Sequence, residues 1–347
     1  MEGQTYKALF KGKYTESEIE YFYSDSIFED ADKKYIQELA ELSAAEMILY
    51  NYGEPEDFCS ATGFGGLRQY THDEDDIHKS NFMITSKKLK DFTVVNVAIH
   101  GTKGREWFSN FDIYEAPNKP SEVHFGFQCS ADYVYESLCR YIEEEGIMDN
   151  IFFWLTGHSR GAAAANLLAN RIESEGIRVA AYTIATPNVT TKPCRSRNIY
   201  NFLSEWDLAT IMPLGENGWG YGRNGKDIFV SAVSEEEFRK YTGKAFAKMN
   251  KDDMSALIKG SEAMALNVDE YYNRKNNGLT SYEFFYKGLG GILTGKQPEE
   301  VSELHNEAYG GITKFFANVD AIKNEHCLEA YWVRILSLRN KDNINRQ

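Results

Sequence analysis

IFFWLTGHSRGAAAANLLA, residues 151–169, joins three textures in one short span. It opens on a run of bulky apolar and aromatic residues, the composition of a buried strand and too short for an ordinary helix. It closes on alanines and leucines, strong helix formers. Between them stands Gly157-His158-Ser159-Arg160-Gly161, a G-x-S-x-G pentapeptide. As a bare pattern this arises by chance often enough to prove little. Directly after a strand and directly before a helix, it has the setting of a nucleophile elbow. The chain turns there so sharply that strand and helix nearly touch. Glycines two before and two after the serine remove side chains that would collide. Ala162 to Ala165 extend the same logic, since small residues let the helix sit close on the sheet. The plainer alternative is a serine that N-caps a tight strand-to-helix turn.

Working outward, strand patterns precede the elbow at Asn81–Thr85 and at Thr93–His100, the run TVVNVAIH. Others follow it at Val179–Ile184 and Ile199–Leu203, with an edge strand at Ile228–Val233. Helical patterns cover Ser121–Glu145 and Ser159–Glu175 between them. Short apolar runs alternating with helices predict an α/β fold, a mostly parallel sheet with helices on both faces. A further helix is read over Asp32–Tyr50, ended by Gly53, Glu54 and Pro55, and a last one over Leu328–Arg339. Residues 60–80 read as a loop rich in glycine and aspartate. The expected organisation is a single domain, 1–347, with a polar, tyrosine-rich peripheral arm at 1–30. Residues 234–322 show helical patterns only and read as a helical insertion or cap.

The chain has 347 residues, 42% of them hydrophobic, enough for a large core. With 38 Lys+Arg against 52 Asp+Glu, the formal charge is −14. That balance argues against nucleic-acid binding and against docking on anionic lipid, which both need clustered positive charge. No apolar run is long enough to span a bilayer, and the first residues lack an apolar leader. The five cysteines (Cys59, Cys129, Cys139, Cys194, Cys327) are scattered and odd in number. They fit reduced thiols in a cytoplasmic protein, the alternative being secretion with a leader already removed. There is no HExxH, zinc-type spacing or glycine-rich phosphate loop, so no metal or cofactor is expected.

A serine hydroxyl is a weak nucleophile at neutral pH. It needs a base within hydrogen-bond reach and an acid to orient that base. In folds that carry this motif the order along the chain is serine, then Asp or Glu, then histidine. Downstream of Ser159 only His305 and His326 exist. Asp207, at the end of the strand-like run IYNFLSEW, is the best acid, with Asp227 and Glu205 as alternatives. The backbone N–H of Arg160 supplies one oxyanion donor. Gly101-Thr102, directly after the strand TVVNVAIH, is placed to supply the second.

Five blocks then resemble the class 3 (fungal-type) lipase family of α/β-hydrolases. IHGTKGREWFSNF is similar to that family's oxyanion block, and VHFGF at Val123–Phe127 to its Val-His-x-Gly-Phe block. LTGHSRGAAAANLLA resembles its nucleophile block, SEWDLATIMPL its acid block, and Glu325-His326 with Tyr331-Trp332 its histidine block. The chain departs at Arg160, where the family more often has leucine, and at Ala162, which replaces a second glycine. It also departs in the spacing from His326 to the aromatic pair. The resemblance implies Ser159 as nucleophile, His326 as general base and acid, Asp207 as its orienting carboxylate, and Thr102 with Arg160 as the oxyanion hole. It places Trp107 and Phe108 as substrate-binding or lid residues. His124 and His158 are read as structural, and His305 as an ordinary helix histidine. The implied activity is cleavage of carboxylic esters, acyl glycerides or short-chain esters, through an acyl-enzyme and without cofactor. The partner is then a small ester or lipid, with transient contact at lipid interfaces. Phospholipase A1, thioesterase or acyltransferase chemistry on the same fold, or a non-catalytic binding role, are the alternatives.

Overall fold

The structure is a computed structural model. It describes residues 3–11, 16–29, 36–73, 76, 78–102, 114–116, 119–148, 150–204, 207–211, 213, 220–230 and 326–338. The expected insertion at 234–322 therefore lies outside the described residues.

Seven strands form the central sheet: β3 (Gly65–Tyr70), β4 (Phe82–Lys88), β5 (Thr93–Ile99), β8 (Ile151–His158), β9 (Arg178–Ile184), β10 (Ile199–Leu203) and β11 (Lys226–Phe229), in the order β11-β10-β9-β8-β5-β4-β3. β6 (Tyr114–Ala116) and β7 (Lys119–Pro120) pair apart from it. From β5 to β11 every pairing is parallel, while β3 and β4 run antiparallel at one edge. This is the mostly parallel sheet expected from the alternation of strands and helices, and its architecture is that of an α/β-hydrolase. Successive residues of a strand point to opposite faces. Val94, Ala98, Phe152, Trp154 and Tyr182 accordingly enter one core, and Val95, Val97, Ile99, Phe153 and Leu155 the other. Helices α3 (Phe125–Glu144) and α4 (Arg160–Ser174) cover the second face. On the first face lie α1 (Ile36–Tyr52) and α5 (Leu328–Ser337), packed against each other.

Three readings change. Residues 1–30 are no peripheral arm: β1 (Gln4–Lys11) and β2 (Glu16–Tyr23) pair antiparallel, and Ala8, Phe10, Ile19 and Tyr21 are buried in the core over α1. Their alternation with Lys7, Leu9, Glu18 and Glu20 carries the period of two that a half-buried strand needs. Residues 60–80 hold strand β3, which its two glycines and polar residues disguise as loop. Pro55 does not merely close α1; it opens a short helix, α2 (Pro55–Thr62), from the first-turn position where its missing N–H costs nothing. No helix among the described residues is long and apolar enough to cross a membrane.

Covered by the β1–β2 pair, α1 is buried from Leu39 to Leu49, including Glu46. One Glu46 carboxyl oxygen accepts from the Asn96 amide of β5 at 3.2 Å, and the other has no partner. Burial pushes this carboxyl up to about 8. The folded protein thus keeps a proton that the unfolded chain releases near about pH 4.3. Stability from this group is complete in acid and declines as pH rises from that value toward about 8. Glu46→Gln should therefore match the wild type in thermal melts near about pH 4.5. By about pH 8 it should exceed it by on the order of 3 kcal/mol. A difference independent of pH would contradict this account.

Candidate active site

The turn between β8 and α4 is built by close backbone approach. A methyl group at Gly161 would sit 2.2 Å from the Ile99 carbonyl oxygen and 2.5 Å from that of His100. One at Gly157 would sit 2.4 Å from the Gly161 carbonyl oxygen. Ser159 takes φ 56° and ψ −122°, a left-handed-side conformation that L-residues adopt only under constraint. Its N–H donates to Ile184 O at 2.9 Å, and its carbonyl accepts from Ala163 N at 3.0 Å. The side chain makes no capping bond. The N-cap alternative thus falls away: the hydroxyl is presented rather than spent on the helix.

The loop after β5 passes directly over this turn. A methyl group at Gly101 would lie 3.0 Å from His158 Nδ1 and 3.7 Å from Ser159 Cβ. That brings Gly101-Thr102 beside the serine, while the Arg160 amide opens α4, where N–H groups have no intrahelical acceptor. The Arg160 side chain turns the other way and is fully buried, donating to Ser80 Oγ and to Gly126 O, each at 3.2 Å. His124 is a structural residue. Its Nδ1 accepts from Phe127 N at 3.3 Å to cap α3, and its ring stacks on Phe127 at 3.7 Å.

Asp207 follows β10 and is fully buried. Its Oδ2 accepts from His326 Nδ1 at 2.7 Å and from the Tyr331 hydroxyl at 2.8 Å, and its Oδ1 accepts from Ala209 N at 3.0 Å. Burial works against its charge, but His326, Tyr331 and the Ala209 amide outweigh it and hold the carboxyl below its ordinary value. His326 stands two residues before α5. That helix is fixed by packing on α1 and by Gln37, whose amide donates to Ile335 O at 2.8 Å. His158, at the end of β8, donates from Nε2 to His326 O at 2.8 Å. The structure therefore brings Ser159, Gly101-Thr102, the Arg160 amide, Asp207 and His326 to one end of the sheet. Asp227 belongs elsewhere, on β11, paired with Arg223 at 2.8 Å and accepting from Asn201. Glu205, His305, Trp107 and Phe108 lie outside the described residues.

Sequence reasoning missed Tyr331 as part of this site. Its hydroxyl donates to Asp207 and also accepts from Ser204 N at 2.9 Å, joining α5 to the loop after β10. The only signal was its place in the aromatic pair beyond His326.

Residues 96–214, from within β5 to the far side of Asp207, match the family model described as Lipase (class 3). No curated protein matches the chain. Among solved structures, the lipase from Rhizopus microsporus var. chinensis aligns at 17% identity and a TM-score of 0.39, over 60% of this chain and 75% of that one. Nonglycosylated Yarrowia lipolytica LIP2 lipase aligns at 18% identity and 0.39, over 56% and 78%. A mutant form of MDLA from Penicillium cyclopium aligns at 16% identity and 0.40, over 61% and 83%. The likeness to that family lies in the matched segment and the elbow within it. Fold and elbow define a carboxylic ester hydrolase on the α/β-hydrolase scaffold. Over residues 96–214 the chain is similar to the class 3 lipase family, a likeness that implies a lipid or other ester as substrate.

Two outcomes follow from the packing. Gly161→Ala should cost roughly 3 kcal/mol or more, because its methyl meets backbone that cannot yield. Gly65→Ala, in open space, should leave the melting temperature unchanged or slightly raised. Tyr331→Phe should lower kcat about tenfold, or about 1.4 kcal/mol, with KM nearly unchanged. Steady-state kinetics on a chromogenic ester would show this.

Proposed function

We propose that Ser159, His326 and Asp207 carry out ester cleavage through an acyl-enzyme. The observation that carries this reading is the pairing of His326 Nδ1 with a buried, ionised Asp207 beside the strained serine turn. Because Nδ1 donates to the carboxylate, Nε2 is the nitrogen that acts as base. Ser159 Oγ attacks the ester carbonyl and passes its proton to His326 Nε2. The tetrahedral oxyanion rests on the N–H groups of Thr102 and Arg160. The C–O bond to the alcohol then breaks as His326 returns the proton to the leaving oxygen. Water, deprotonated by the same nitrogen, attacks the acyl-serine. Collapse of that second intermediate releases the acid and restores the serine. The imidazolium formed in each half is balanced by Asp207, which stays ionised throughout.

Acyl glycerides or short-chain carboxylic esters are the substrates we assign, met as single molecules or at a lipid interface. The five cysteines are all thiols, with no disulfide among them, which supports work in a reducing, cytoplasmic compartment. A fluorophosphonate probe should label the wild type once, at Ser159, and Ser159→Ala should lose both labelling and turnover. Asp207→Asn should lower kcat by roughly 10³–10⁴-fold, since the imidazole then takes the wrong tautomer. Profiles on p-nitrophenyl esters of graded chain length, phospholipids and acyl-thioesters separate the esterase reading from phospholipase A1, thioesterase and acyltransferase activity. An unlabelled wild type, or undiminished turnover in Ser159→Ala, would overturn the assignment.

A further inference from the structure

We propose that His158 is a positioning residue whose imidazole clamps the peptide of His326 to the turn that carries Ser159. The inference rests on the roles assigned above to Ser159 and His326, and it concerns how those two groups are held in register.

His158 ends β8 and immediately precedes the nucleophile. Its Nε2 lies 2.8 Å from the carbonyl oxygen of His326, a residue 168 positions further along the chain. A carbonyl only accepts, so Nε2 bears the hydrogen; the partner selects the tautomer. His326 is thereby gripped at two points from two strands. Asp207, after β10, holds its side chain at Nδ1, and His158, at the end of β8, holds its main chain. One point alone would let the imidazole swing about the other. Two points set its plane and its height above the turn, with Nε2 as the nitrogen that takes the serine proton. On its other edge the His158 ring meets Gly101, where a methyl would come within 3.0 Å of Nδ1. A single ring thus touches the oxyanion loop, adjoins the nucleophile and holds the base.

The clamp also settles which imidazole becomes charged. The two rings lie 4.8 Å apart at 38°. Two cations at that separation in a buried site repel strongly. Burial pushes His158 down to about 3; the charges of His326 and His100 add to this, while the hydrogen bond to the His326 carbonyl and the charge of Asp207 oppose it. His158 therefore stays a neutral donor across the working range, and the proton released by serine goes to His326.

The test compares His158→Gln, which keeps an N–H at the reach of Nε2, with His158→Met, which keeps the bulk without the donor. Met should lower kcat by about 10–100-fold with KM within about twofold, the scale expected of a misplaced reacting group. Gln should stay within about threefold of wild type. Retained kcat in Met, equal losses in both variants, or a loss confined to KM would overturn the proposal. Should Met fail to fold, ring nitrogen NMR of the wild type decides. His158 should be the neutral Nε2–H tautomer from about pH 7 down to about 5, and titration near its ordinary value or an Nδ1–H tautomer would overturn the clamp. Fluorophosphonate labelling of the wild type is scored separately. Its absence would condemn the ester-hydrolase reading and leave the NMR result on His158 standing.

Discussion

The backbone of α4 touches the carboxyl end of β5 with no side chain between them. A methyl at residue 161 would stand 2.2 Å from the Ile99 carbonyl oxygen, well inside any tolerable contact. This forces the chain between β8 and α4 into a bend so tight that Ser159 adopts a positive φ. Among the described residues only Ala185 shares that feature outside glycine. The two are connected: Ser159 N–H bonds to the carbonyl of Ile184, the residue before Ala185. Strain of this kind costs on the order of 1–3 kcal/mol per residue and persists only where packing over-determines it. Here Ala162 to Ala165 of α4, all fully buried, supply the packing.

The second requirement is electrostatic. A fully buried carboxylate is expensive unless its charge is met by donors. Asp207 meets three, from His326, Tyr331 and Ala209, and two of them come from the last described segment of the chain. The docking of α5 on α1 is therefore the step that completes the Asp207–His326 pair. The N-terminal β1–β2 pair packs on α1 and shares one core with α5, so it supports the site through that helix pair.

Much of this was legible in residue order because the relevant physics is local. The apolar runs at 93–99, 151–155 and 199–203 are buried on both faces and read as strands with little ambiguity. The glycines around Ser159 announce a turn that only small residues permit. Legibility failed where local patterns conflict. The Ile19-Tyr21-Tyr23 alternation sits among glutamates and lysines and passes for a polar arm. β3 begins with two glycines and faces partly polar surroundings, so neither its composition nor its alternation declares a strand. Tyr331 looked like one half of an aromatic pair, since a hydroxyl's target carries no signature in its own segment.

Residue types and their spacing determined an α/β sheet, a serine at a cramped bend, and a short set of acids and bases from which its partners had to be drawn. Only the tertiary structure chose among them. It set Asp207 rather than Asp227 against His326, brought Tyr331 to the same carboxylate, and placed His158 against the peptide of His326. The reason is physical. A strand or a turn is decided by neighbours a few residues apart, whereas a hydrogen bond across 119 or 168 residues exists only once the sheet and its covering helices have packed.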